Sequence, residues 1–239
     1  MAIAIGTGTG NVQTGGTAAG TSVSVNTPTD AVTNDLLIAA VTCHVAKTLT
    51  ATGWTSIATV AQTTGGDIEV FRRLHDGSSG SYSFSWSGVT TAAAGIVLVT
   101  GADTSSPVDV SATYDSAFTS SSANTAPSVT TTVANTLLLN FYFASGSYTW
   151  TPASSQTEVF DRSESGVISM EMTKLAVAGT GATGTKTSTA SANAYWGSVS
   201  VAIKPFTSPI KSISGVPYAS VKKVSGVPIA QVKKIAGVG

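Results

Sequence analysis

The residues with the chemistry to activate a bond are few in this chain of 239: two histidines, one cysteine and twelve carboxylates. His44 and His75 have no partner at metal-ligand spacing such as His-Glu-x-x-His. No Gly-x-Ser-x-Gly elbow, phosphate-binding loop or Cys-x-x-Cys occurs. Cys43 lies in the apolar run 36–45, which predicts a buried, inert thiol, and a lone cysteine excludes an internal disulfide. Glycoside hydrolysis needs two carboxylates at a separation that sequence does not display. Glu69 and Glu158 are flanked by strand residues and read as solvent-facing. Asp30 with Asp35, or Asp103 with Asp109, has the oxygens for calcium, but loop aspartates more commonly cap turns. The expectation is a protein that is not an enzyme, with no metal site and no cofactor.

Aromatic side chains offer a second chemistry. Trp54, Trp86, Tyr148, Trp150 and Trp196 are rings on which a sugar could stack, or rings that fill a core. Tyr148 and Trp150 stand apart, because Gly146 and Pro152 flank them and suggest a loop. They are the expected platform if the protein binds a host-surface glycan.

A third chemistry is charge. Up to Glu171, the last acidic residue, four cations face twelve carboxylates; beyond it come eight lysines and no acid. The zero net charge is thus minus eight followed by plus eight, which points to a basic segment that seeks an acidic surface. With no arginine after Glu171 and Tyr218 the one aromatic of the terminal repeats, nucleic acid is the least favoured partner. Other proteins with an acidic surface, further copies of this chain included, are favoured.

Four of those lysines sit in a repeat of period eleven: Ile-Ser-Gly-Val-Pro-Tyr-Ala-Ser-Val-Lys-Lys, then Val-Ser-Gly-Val-Pro-Ile-Ala-Gln-Val-Lys-Lys, then Ile-Ala-Gly-Val-Gly. So short a unit cannot bury its own apolar face and must pack on a neighbour. The residues expected to dock are Ile213, Val216, Tyr218, Val221, Lys222, Lys223, Val224, Val227, Ile229, Val232, Lys233, Lys234 and Ile235. Pro217 and Pro228 exclude a continuous helix. A short helical turn starting at each proline, or extended pieces turning at Ser-Gly-Val-Pro, both remain.

The elements that must position these groups are strands. Charged residues are only 10% of the chain, and Thr, Ser, Ala, Gly and Val dominate. Asn34-Asp35-Leu36-Leu37-Ile38 predicts a turn and a core strand; Tyr82, Phe84 and Trp86 alternate with serines. A second half echoes the first: Asn135-Thr136-Leu137-Leu138-Leu139 displaced by 101, Trp150 for Trp54, Val159-Phe160-Asp161-Arg162 for Val70-Phe71-Arg72-Arg73, and Trp196-Gly197 for Ala94-Gly95. The expected fold is an all-β, antiparallel, jelly-roll-like sandwich over 22–204. Its halves, about 22–100 and 128–204, would each give strands to both sheets. A flexible Gly/Thr-rich lead is expected at 1–21 and the attachment tail at 205–239. No secretory signal is visible at the start, and no apolar run approaches a membrane span.

The Gly-Val…Val-Lys-Lys tail after a Ser/Thr/Gly-rich body with Asn-Asp-Leu-Leu and Gly-Trp-Thr resembles bacteriophage virion proteins. The resemblance implies a structural part of a phage particle: a head decoration, a head or collar fibre, or a tail-tip component. It implies localisation in the virion and contacts with other virion proteins; association of several copies is expected because stacked short repeats commonly need several chains. It implies no catalytic residue.

Overall fold

The computed structural model describes residues 2–8, 10–62, 66–115 and 120–207, and in the terminal segment the strand residues 212–213, 216–217, 223–224 and 227–228. Every regular element among them is a strand. In the first half, β1 (Ala4–Ile5), β2 (Val12–Asn26), β3 (Leu36–Cys43), β4 (Thr55–Gln62), β5 (Gly66–Leu74) and β6 (Ser81–Thr100) form one sheet. Its order is β4-β5-β3-β6-β1, and β2 also pairs with β6. The second half contributes β7 (Val108–Asp115), β8 (Ser121–Ala126), β9 (Thr130–Thr131), β10 (Thr136–Ser145), β11 (Trp150–Thr151), β12 (Thr157–Glu164), β13 (Ile168–Val177), β14 (Gly181–Ala182), β15 (Lys186–Ala194) and β16 (Trp196–Ile203). Of these, β12-β13-β10-β16-β7 make a five-stranded sheet and β11-β15-β8 a smaller one.

The two large sheets face each other as an all-β sandwich. Each half builds its own sheet, which corrects the expectation that each would feed both. Neighbours such as β4 and β5, or β12 and β13, pair through short connections, and local closure costs less chain entropy than interleaving distant halves. The sheets share strand order, β4-β5-β3-β6 against β12-β13-β10-β16. Their contacts are reciprocal: β4 packs on β7 and β16, while β12 packs on β2 and β6.

Between the sheets lie Leu36, Ile38, Ile68, Val70 and Val97 from one half and Leu137, Leu139, Phe141, Phe143 and Met172 from the other. Side chains alternate across a strand, so Leu37, Ala39 and Val41 point away from this core. They are buried too, because each large sheet carries a cover on its outer face. That double burial explains the nearly continuous burial of β3 and β10 on both faces.

The covers are built differently. In the first half β2 and β6 run through both layers. Residues 12–17 pair with 92–97 in the sheet and 22–26 with 81–85 in the cover, with register breaks at Gly20. The cover places Val23, Val25, Tyr82, Phe84 and Trp86 on the sheet. The Gly/Thr-rich stretch expected to be a flexible lead is therefore mostly strand from Val12 on, its small residues lying along Ala92, Ala93, Ala94 and Gly95. In the second half the cover is the separate sheet β11-β15-β8, and β15 ends before β16 begins.

The duplication reaches the backbone. Asn34 (φ 73°) and Asn135 (φ 58°) hold the same left-handed turn before their leucines. Bulges fall between Ser56 and Ala58 on β4 and between Glu158 and Phe160 on β12. Val159 to Arg162 thus correspond to β4, not to Val70 to Arg73 on β5; any alternating strand carries so short a pattern. Gly95 and Gly197 leave room for side chains of the facing sheet. A Cβ on Gly95 would lie 2.2 Å from Phe160 Cζ, and one on Gly197 2.9 Å from Val60 Cγ1.

At the other end Ala102 bridges Pro205, and Phe206 N–H donates to Gly101 O at 2.8 Å. The body therefore extends to Phe206, two residues beyond the expected boundary.

Candidate functional site

In the terminal repeat the backbone follows the sequence period. Ser212–Ile213 pairs antiparallel with Val216–Pro217, Ile213 opposite Val216. Eleven residues on, Lys223–Val224 pairs with Val227–Pro228, Val224 opposite Val227. Both pairings enclose two residues, and the stretch after each proline, where the helical turn was the alternative, lies outside the described residues. Tyr218, Val221, Lys222, Ile229, Val232, Lys233, Lys234 and Ile235 lie outside the described residues. Lys174, Lys186 and Lys204 belong to the body, where Lys204 Nζ donates to Ser106 Oγ at 3.0 Å. Through Thr207 seven cations face twelve carboxylates, and the five cations that follow are all lysines.

The expected Tyr148/Trp150 platform does not form. Trp150 is 7% exposed and packs on Tyr142, ring centroids 6.1 Å apart, because its backbone pairs with β15 over the outer face of the sheet. Tyr148 is half-buried at the edge of the same cluster. Trp54 lies edge-on to Tyr82 at 5.2 Å and is also a cover-side packing residue, though it sits next to β4 while Trp150 lies seven residues before Thr157. The exposed ring stack is elsewhere. Tyr114 on β7 lies parallel to Trp196 at 5.0 Å and is 46% exposed, and Tyr195 is 41% exposed.

The aspartates considered for calcium hold turns. Asp103 Oδ1 accepts from Ser105 N, Ser105 Oγ and Ser106 N at 2.9, 2.6 and 3.3 Å, which holds its carboxyl below the usual range. Asp35 caps Val32 N, Asp109 accepts from Thr132, and Asp30 accepts from Asn11. Among the described residues no three His, Cys, Asp or Glu are placed to share a metal ion. His75 Nδ1 is 2.8 Å from Tyr82 Oη in a packed cluster. Cys43 is buried, and burial, followed by the neighbouring Asp67, raises its thiol well above the usual range. Asp67 is 1% exposed and accepts from Cys43 N (2.9 Å) and Lys47 N (2.7 Å). Desolvation outweighs these bonds and lifts it to about 6.

Sequence reasoning missed the most unusual layer. Where β3 turns Ala39 and Val41 toward an apolar cover, β10 turns Asn140 and Tyr142 toward a polar one. Asn140 Nδ2 donates to Ser200 Oγ at 2.6 Å, and Gln156 Nε2 donates to Asn140 Oδ1 at 2.5 Å. Ser200 and Ser198 hydroxyls donate to Pro127 O (2.7 Å) and Thr125 O (2.9 Å), and Tyr142 Oη to Lys186 O (3.1 Å). Glu171, with no exposed surface, meets Ser188 of β15. Neither side-chain polar atom of Asn124, nor Glu171 Oε1, has a hydrogen-bond partner. An alignment of the two halves position by position is the signal that would have found this layer.

No family model, curated protein or solved structure matches the chain.

Proposed function

We propose that this chain is a non-enzymatic structural component of a larger particle, of the phage-virion kind its tail resembles, docked by its basic C-terminal repeats. The observation that carries the reading is the coincidence of three periods in the tail. The sequence, the paired backbone and the lysine doublets all recur every eleven residues. The first two repeats then each carry two lysines and one strand pairing, suited to adding unit by unit to an acidic neighbour. The body, net negative through Thr207, supplies acidic surface of the kind such a tail needs, on another copy or on a different particle protein.

The test is a chain ending at Thr207, which keeps the Phe206–Gly101 bond. It is expected to melt as the full chain does and to be lost from the particle or oligomer, as read by sedimentation. Retention at the full-length level overturns the reading.

A second reading has the exposed Tyr114 ring in its favour. A glycan-binding body would use the Tyr114 and Tyr195 side, not Tyr148 and Trp150. Binding on a glycan array that Tyr114→Ala removes supports it, and a blank array ends it.

A further inference from the structure

Glu171 projects from β13 into the space under the β11-β15-β8 cover, opposite Tyr142 of β10 and Asp161 of β12. Its Oε2 is hydrogen-bonded to Ser188 Oγ, and the same Oγ lies 3.0 Å from Thr151 O on β11. A hydroxyl has one proton to give. If Ser188 donates it to the Thr151 carbonyl, the contact with Glu171 needs a proton on the carboxyl. The relay Glu171 Oε2–H to Ser188 Oγ–H to Thr151 C=O is then complete. Oε1 has no donor, which a buried carboxylate would require.

We infer that Glu171 is a protonation latch: in its neutral form it ties the second cover to the sheet through Ser188 and Thr151, and its ionisation releases that cover while the first stays shut. The charged and titratable groups facing Glu171 all oppose its charge or ignore it, and the Ser188 hydroxyl can favour that charge only by giving up Thr151 O. Glu158 and Asp161 on β12 repel it, and Tyr142 on β10 is itself held neutral by burial. Lys186 on β15 gives its ammonium to the Thr183 and Gly184 carbonyls, and β8 and β11 carry no charged side chain. Burial raises Glu171 to about 7, within physiological reach. Release costs less on this side. The second cover is a separate sheet held by a small cluster around Tyr142, Trp150 and Ala190 and by bonds to Asn140, Ser198 and Ser200 that water can replace, whereas the first is continuous with β2 and β6 and lies on the larger cluster of Leu37, Val41, Phe71 and Phe84.

Amide hydrogen exchange on the full chain tests this. An open form with an ordinary carboxyl makes opening about tenfold easier per pH unit from about 4.5 to about 7, then constant. Protection factors in β8 and β15 are expected to fall by that factor while those of β2 and β6 hold. Glu171→Gln, whose amide donates to Ser188 at every pH, is expected to flatten the profile. A profile unchanged in Glu171→Gln, or a flat one in the wild type, overturns the latch. If the variant does not fold, the wild-type Glu171 carboxyl followed by carbon NMR must titrate in step with the loss of protection. Titration in the ordinary carboxyl range overturns the proposal as well.

Discussion

At the residue scale the body is shaped by where protons and unusual backbone angles are held. Asp67 is buried with two backbone N–H donors and no cation, so its neutral form is favoured in the fold. A carboxyl raised when folded contributes stability that is full below its ordinary value, about 3.8, and is lost as pH rises through about 6. Asp76, Asp103 and Glu164 are lowered, chiefly by hydrogen bonds from Ser78, Ser105 and Arg162, and act oppositely, losing their contribution as pH falls. Stability should therefore peak on the acid side of neutrality. Asp67→Asn should remove a slope of up to about 1.4 kcal/mol per pH unit between those limits. Urea midpoints across the range check it; an unaltered slope would mean Asp67 ionises freely. Asn34 and Asn135 make a matched pair: replacement by glycine should be nearly neutral and by valine should cost about 1–2 kcal/mol, since both hold positive φ. Equal melting temperatures for the glycine and valine variants would contradict that.

At the element scale the decisive contact is sheet against sheet. Phe160 of β12 lies over Gly95 of β6, and Val60 of β4 over Gly197 of β16. Gly95→Ala places a methyl into the Phe160 ring, which cannot retreat through a packed core, and should cost about 1–3 kcal/mol. Phe160→Ala opens a cavity and should cost about 3–5 kcal/mol. Because the two residues touch, the double variant should be less destabilised than the two costs together. Thermal or urea unfolding of the four proteins measures this, and strict additivity would show that the contact carries no coupling. The bulges at Ile57 and Val159 are legible only at this scale, because a bulge is a relation between two strands and not a property of one.

At the scale of the whole molecule the body is acidic and the tail basic, and both proposals rest on that division or on the contrast between the covers. If the tail docks by charge, replacing Lys222, Lys223, Lys233 and Lys234 with glutamate should abolish association and leave the body's melting temperature unchanged. Raising salt should weaken association of the natural chain, since exposed pairs are screened within about 10 Å at 0.1 M salt. Association indifferent to salt and to these replacements would place the docking energy in the valines and isoleucines of the repeat instead.

The sequence by itself determined that the body is built of strands, that it is doubled, that β3 is a core strand and β10 its echo, and that the tail repeats every eleven residues with its positive charge segregated. All of these are local or periodic properties, written in alternation, in the Asn-x-Leu-Leu turns and in residue counts. Tertiary structure decided what depends on which strand lies beside which. The halves separate into two sheets, the Gly/Thr-rich start becomes β2 because β6 gives it an edge, and Trp150 turns inward because β11 pairs with β15. The polar layer around Glu171 and Asn140 is of the same kind. Each side chain alone looks solvent-facing, and only the cover packed above it removes the water and makes the proton matter.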